Sequence, residues 1–290
     1  MAEKRPVLVI INPISGGTNK NSFTQLMKET FKEQPEALRI FLTDGKEDKL
    51  RLTELLNEFK PERIFVAGGD GTIKLVTEIT RGAYPLGLFP MGSANGLAEN
   101  LNLPTTLDKQ LEVAMGEKFQ SMDCIDIEQE LCLHISDLGL NAELVRNYEE
   151  GTVRGKLGYF LQSIPTLIQS EFPFKFKIHL NDTTLHRKGI LVAVANAKRY
   201  GTGATINPKA EIDDGLFEVL VFKKFNVPEL LRTFQQGYQP DSTFIEILQT
   251  SKVTIECERA IPFQIDGEFR GERNSMSAGI SPIRLLIAVP

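Results

Sequence analysis

The segment of this sequence best suited to chemistry is Val66-Ala67-Gly68-Gly69-Asp70-Gly71-Thr72. An apolar run leads into it, and Thr72, Leu75, Val76 and Ile79 follow at helical spacing, so it reads as a strand-to-helix turn. Glycines there admit positive φ and let a ligand approach the backbone closely. The start of a helix offers N–H groups and partial positive charge to a phosphate. From these residues alone, a tight turn with Asp70 or Thr72 as helix N-cap reads equally well. The P-loop is absent, because no Gly-Lys-Ser/Thr ends the segment. So is the dinucleotide fingerprint, because its third glycine position after Gly69-x-Gly71 is Lys74.

Two more loops share this character. Pro90-Met91-Gly92-Ser93-Ala94-Asn95-Gly96 follows the next expected strand, and Asn12-Pro13-Ile14-Ser15-Gly16-Gly17 follows the first. One such loop is punctuation. Three at the carboxyl ends of parallel strands predict a shared anion-binding edge. Elsewhere, Asp266-Gly267-Glu268 reads as a type I′ hairpin turn that could aim Glu268, and Asp213-Asp214-Gly215 reads as either a solvated turn or a cation site. His134, His179 and His186 lie on or beside expected strands, with no serine or cysteine motif nearby, and read as ordinary strand residues. Base chemistry then falls to carboxylates.

The elements that must position these residues change character along the chain. Up to about residue 118, strands at Val7–Asn12, Leu38–Thr43, Arg63–Ala67 and Pro85–Phe89 alternate with helical patterns, which predicts a parallel sheet with helical crossovers. Beyond it, strands dominate: Met122–Ile127, Leu131–Ser136, Phe174–Leu180, Gly189–Ala195, Leu216–Phe222, Lys252–Cys257, Phe263–Asp266 and Ile283–Val289. Helices are expected only over Gly155–Ser170 and within Asn226–Gly237. Phe160, Leu161, Ile164, Leu167 and Ile168 on the first of these read as core, or as a groove wall for an acyl or sphingoid chain. Arg154, Lys156, Lys198 and Arg199 read as a solvated face that could also meet lipid headgroups. The expected fold is α/β plus all-β, with residues 1–118 forming an α/β nucleotide-binding domain and residues 119–290 a β-rich domain.

Composition bounds the rest. The chain has 290 residues, 41% hydrophobic and 24% charged, with a net charge of −5, so nucleic acid is not an expected partner. No apolar run approaches the ~18 residues needed to span a bilayer, and the short Val7–Ile11 run reads as a strand and not as an export signal. Cys124, Cys132 and Cys257 form no CxxC and are expected as reduced thiols in a cytoplasmic protein.

Asn12-Pro13-x-Ser15-Gly16, Gly68 through Thr72, and Pro90-x-Gly92-Ser93-x-Asn95 resemble, in order and spacing, the diacylglycerol kinase catalytic domain. That family spans bacterial diacylglycerol and phosphatidylglycerol kinases and eukaryotic sphingosine and ceramide kinases. The resemblance continues through Asp137-Leu138-Gly139-Leu140-Asn141-Ala142, Asn196, Gly201, Gly203, Pro208, Ala210, Asp213-Asp214-Gly215-Leu216 and Asp266-Gly267-Glu268. It implies a phosphofructokinase- and NAD kinase-like α/β domain followed by a β-sandwich, with ATP in the cleft.

The resemblance also implies roles. Gly68, Gly69, Asp70, Gly71 and Thr72 would hold the ATP phosphates, with Asn12, Thr43, Ser93 and Asn95 lining the nucleotide site. Glu268 matches the general base, and Asp70 and Asp123 match catalytic aspartates, Asp123 in a magnesium and water network. Asp214, with main-chain oxygens at Glu211 and Leu216, matches a structural Mg2+ site. The partners implied are ATP and a lipid at a membrane surface, met peripherally; a homodimer is left open. Two features depart from the bacterial pattern. Gly96 stands where an aspartate is usual, so Gly92-Ser93-Ala94-Asn95 looks more like sphingosine kinases. The chain also ends after its last strand, so no tail returning to the first domain is expected. The reading is an ATP-dependent lipid kinase; the alternatives are an NAD kinase or an inactive nucleotide- or lipid-binding homologue.

Overall fold

The computed structural model describes residues 5–17, 20–93, 95–142, 145, 173–198, 205–224, 226–235 and 237–290. The helix expected over 155–170 and its flanking Arg154 lie outside them, as do Ala94, Arg199, Gly201 and Gly203. The chain divides into two compact units, Met1–Met122 with Ile283–Pro290, and Asp123–Pro282.

The first unit alternates β1 (Val7–Ile11), α1 (Asn21–Thr30), β2 (Leu38–Leu42), α2 (Asp48–Phe59), β3 (Arg63–Gly68), α3 (Asp70–Thr80), β4 (Leu86–Pro90), α4 (Gly96–Asn100) and α5 (Leu107–Met115). Its strands pair in parallel in the order β2-β1-β3-β4. Every residue of β1 and β3 is buried, which is why β1, and β3 after Arg63, read as continuous apolar runs and not as alternating ones. One face packs Val7, Val9, Ile11, Phe65 and Phe89 against Phe23 and Met27 of α1. The chain leaves β1 towards β2 on one side, then comes back to β3 on the other. The loops after β1 and β3 therefore flank the topological switch point, the usual ligand crevice of such sheets.

The second unit is antiparallel. It contains β6 (Glu130–Cys132), β7 (Ile135–Gly139), β8 (Phe174–Leu180), β9 (Thr183–Gly189), β10 (Leu191–Ala195), β11 (Phe217–Phe222), α6 (Val227–Arg232), β12 (Ile245–Thr250) and β13 (Lys252–Ile265). Two further strands, β5 (Phe119–Ile127) and β14 (Glu268–Ala288), have residues in both units. Pairing runs β12-β11-β10-β7-β13, and β13 also pairs with β8, which pairs with β9. In β8, Phe174, Phe176 and Ile178 are buried while Lys175 and Lys177 are exposed, as their alternation predicts. They join Val192, Phe217, Phe263 and Met276 in one core.

Three differences from the sequence reading have physical causes. The expected strand over Leu131–Ser136 breaks in the middle, because the N–H groups of Leu133 and His134 turn to the Asp266 carboxylate at 2.9 and 2.8 Å. The expected strands Lys252–Cys257 and Phe263–Asp266 are one strand, β13, whose pairing with β14 is irregular between Glu256 and Gln264. The absence of a returning tail is also corrected. Ile283–Pro290 belongs to the first unit, where Ile287 pairs in parallel with Leu86.

Candidate functional site

In the first unit the three glycine loops are packed backbone to backbone. A Cβ on Gly92 would lie 2.4 Å from Gly69 Cα, and one on Gly16 would lie 2.4 Å from the Met91 carbonyl oxygen. No side chain fits between backbones this close, so glycine is required at these contacts by packing. Met91 N–H donates to Gly68 O at 2.8 Å, and Asn12 N–H donates to Ala67 O at 3.0 Å, extending the parallel ladder into the loops. Asn12 Nδ2 reaches Thr72 Oγ1 at 3.3 Å, and Ser15 Oγ donates to Met91 O at 3.1 Å. Asn95, at φ +52°, closes its own loop by accepting from Gly92 N–H at 2.7 Å and donating back to Gly92 O at 3.0 Å.

Asp70 is placed differently from the N-cap reading. The N-cap of α3 is Gly69, and Thr72 N–H and Ile73 N–H both donate to Gly69 O. The amides ahead of Thr72 therefore have no acceptor within the helix. The Asp70 carboxylate instead accepts from Gly96 N–H at 2.8 Å and Leu97 N–H at 3.2 Å, capping α4 across the loops. Gly71 is exposed, and a Cβ added there would meet nothing within 4 Å. Gly68, Asp70 and Asn95 line one small crevice with Ile73 and Ala98. Thr43 is buried at the end of β2, its N–H on Ile11 O at 2.9 Å. Ser93 is exposed in the loop after β4.

Sequence reasoning missed Lys20. Its buried ammonium donates to Ser15 O and, at 3.5 Å, to Met91 O, tying the first loop to the third. Burial lowers its pKa. A lone lysine in a polar loop carries no signature of such a role.

In the second unit, Asp123 is fully buried. Its Oδ2 accepts from Gly215 N–H at 2.7 Å and its N–H donates to Ile212 O at 2.7 Å, which brings it onto the Asp213-Asp214-Gly215 loop. Asn196 Nδ2 braces the same place on Asp123 O at 2.6 Å. Asp214 Oδ1 accepts from Leu216 N–H at 2.9 Å and Oδ2 from Gln249 Nε2 at 3.2 Å. Gln249 also reaches Glu218, whose pKa is raised by burial and by the Asp214 charge. Asp214 and Glu218 thus meet only amide donors among the described residues. The buried oxygens Asn196 Oδ1 and Asn207 Oδ1 have no hydrogen-bond partner there either. Among the described residues no group of three His, Cys, Asp or Glu side chains could hold a metal. A site here would need one carboxylate with main-chain oxygens and water, a donor set that suits a hydrated hard cation such as Mg2+.

Glu268 is carried by a different element, β14. It opens β14 just after a two-residue turn in which Asp266 and Gly267 have φ of +51° and +84°. Ile265 pairs with Glu268 across that turn, as a type I′ hairpin requires. The one hydrogen-bond partner of the Glu268 side chain among the described residues is Arg270. Asp137, also matched by the sequence reading, is fully buried on β7 among Gln264, Asn141 and Ala142 N–H, and burial pushes its pKa up to about 6. His179 and His186 lie in β8 and β9, and His134 in the break between β6 and β7. The three cysteines are buried thiols, and burial with the nearby Asp266 and Asp123 charges pushes the Cys124 thiol up to about 12.

Comparison with known proteins agrees with both halves. The model of the diacylglycerol kinase catalytic domain matches residues 6–127, and that of the YegS C-terminal NAD kinase beta sandwich-like domain matches residues 136–289. The "Probable lipid kinase YegS-like" of Chromohalobacter salexigens is 28% identical over 264 residues, covering 88% of this chain and 84% of that one. "Lipid kinase YegS" of Escherichia coli K12 is 24% identical over 277 residues, covering 92% and 91%. Among solved structures, a diacylglycerol kinase from Bacillus anthracis str. Sterne aligns with a TM-score of 0.75 at 19% identity, covering 100% of this chain and 98% of that one. An NAD kinase from Archaeoglobus fulgidus in complex with ATP aligns with a TM-score of 0.57 at 13% identity, covering 97% and 93%. These likenesses establish the α/β domain followed by a β-sandwich.

Proposed function

We infer, for a chain that belongs to the diacylglycerol kinase catalytic-domain family and its YegS-like branch, that it transfers the γ-phosphate of ATP to a hydroxyl of a membrane lipid. The observation that carries this reading is the stack of three glycine loops at the carboxyl ends of β1, β3 and β4, around the switch point of the sheet. Backbone N–H groups ahead of Thr72 suit phosphate oxygens, and the exposed, unobstructed Gly71 leaves room for them. Asn12, Thr43, Ser93 and Asn95 would surround the nucleotide, with Gly68, Gly69, Asp70, Gly71 and Thr72 under its phosphates. Glu268 would take the proton of the acceptor hydroxyl.

Magnesium, when bound, would offset charge on the phosphates and hold the Asp213-Asp214-Gly215 loop. Asp214 with main-chain oxygens of Glu211 and Leu216 would hold the structural ion, and Asp123 would serve the catalytic network. Among the described residues no helix is long and apolar enough to cross a membrane. The lipid would be met at the membrane surface by peripheral contact.

The test is transfer of label from γ-labelled Mg·ATP to a bacterial lipid extract, run beside NAD as acceptor. Label in an organic-soluble product supports the reading. Label on NAD would favour the NAD kinase alternative, and ATP binding without transfer would indicate an inactive homologue. Glu268→Gln should lose turnover by about 10²–10⁴-fold with ATP affinity little changed, because the base acts on the acceptor.

A further inference from the structure

Glu268 and Arg270 are two residues apart on β14, so their side chains leave the strand on the same face. Arg270 Nη2 donates to Glu268 Oε2 at 2.5 Å and to Glu130 Oε1 at 2.7 Å, while Nε donates to both Glu130 oxygens at 3.1 Å. Glu130 comes from β6, 140 residues away in sequence. Its forked grip fixes the plane of the guanidinium, as carboxylate–arginine pairs do. One Nη2 hydrogen bond remains for Glu268. That bond occupies Oε2 and leaves Oε1 of a half-exposed carboxylate without a hydrogen bond among the described residues. The two carboxylates raise the proton affinity of Arg270, which stays charged. Asp266, across the hairpin turn, accepts from the N–H groups of Leu133 and His134.

We propose that Arg270, locked by Glu130, is a positioning residue that holds the Glu268 carboxylate so that Oε1 faces the acceptor hydroxyl. The inference rests on reading Glu268 as the general base. In that step Glu268 takes the hydroxyl proton and becomes the neutral acid. The acceptor oxygen bonds to the γ-phosphorus, and the bond from that phosphorus to the β–γ bridging oxygen breaks, its electrons leaving with ADP. Arg270 exchanges no proton; it fixes where the carboxylate stands.

A double-mutant cycle on the full chain tests this, with γ-labelled Mg·ATP and a bacterial lipid extract in detergent micelles. Arg270→Gln should lower kcat about 10- to 100-fold, the worth of one charge-assisted hydrogen bond, and leave KM for ATP within about twofold. Arg270→Lys, which keeps the charge but not the fork, should recover part of the loss. In the Glu268→Gln background, Arg270→Gln should cost nothing further, because it acts only through that carboxylate. If Arg270→Gln keeps wild-type kcat, or costs the same factor with and without the Glu268 carboxylate, the inference is overturned and the general base stands. If Glu268→Gln itself keeps wild-type turnover, the base assignment falls and the positioning role falls with it. Should Arg270→Gln not fold, Arg270→Lys in both backgrounds supplies the same comparison.

Discussion

Gly71→Ala separates packing from ligand contact at the glycine loops. Gly71 lies in the first turn of α3, and a methyl group added there meets nothing within 4 Å. Its φ is not in the left-handed region, so alanine can adopt the same backbone. The substitution should therefore stabilise the fold by about 0.4–1 kcal/mol through reduced freedom of the unfolded chain. The melting temperature should stay level or rise by up to about 4 °C. Mg·ATP affinity should move the other way. A phosphate oxygen on the Gly71 N–H would lose its place to the methyl group, a cost of one charge-assisted hydrogen bond, or about 10- to 100-fold in Kd.

Gly92→Ala is the contrast. Its methyl would sit 2.4 Å from Gly69 Cα and 2.8 Å from Asn95 Oδ1, against a comfortable carbon contact of about 3.5 Å. The loops must part by roughly 1 Å, so stability should fall by about 1–3 kcal/mol and ATP binding should fall with it. Calorimetric titration with Mg·ATP and thermal melting of both variants read the two effects apart. Wild-type ATP affinity in a stable Gly71→Ala protein would refute the placing of phosphates over this loop.

Asp70→Asn keeps only one acceptor for the two N–H groups of α4, so it should lower stability by about 1 kcal/mol by denaturant unfolding, while turnover on lipid is lost in a folded protein. Asp214→Ala should abolish the Mg2+-dependent rise in melting temperature; an unchanged rise would remove the Asp213-Asp214-Gly215 loop as the ion's seat. Asp137 has a pKa raised from 3.8 to about 6, so the native state binds the extra proton and stability falls as pH rises from the unfolded value through about 6. The full effect is about 3 kcal/mol, and the difference between wild type and Asp137→Asn in unfolding free energy, measured from pH 4 to pH 8, should show it.

What could be read from the sequence was whatever depended on near neighbours. The buried strands β1 and β3 declare themselves as apolar runs, β8 by alternation, and the hairpin at Asp266-Gly267 by a dipeptide that tolerates positive φ at both positions. β9 escaped because Thr183, Thr184, His186 and Lys188 are exposed and the other face carries only half-buried Leu185 and Arg187 before Gly189, so no apolar alternation marks the strand. The site divides in the same way. Glycine at 69 and 92 reads locally as turn chemistry, but the reason for both is one contact between the two backbones, which only the parallel pairing of β3 and β4 creates. Asp70 looks like the cap of the helix it begins, yet its acceptors serve amides 26 and 27 residues on. Arg270 is the extreme case. Nothing near it in sequence distinguishes it from any strand arginine, and its meaning comes from Glu130 on a strand 140 residues earlier, pinning a guanidinium beside the carboxylate to which base chemistry is assigned. Residues that bear the chemistry can thus be nominated from motifs, whereas the residues that aim them are set by pairings made in the folded sheet. Mutational tests of the second kind therefore carry the more independent information about mechanism.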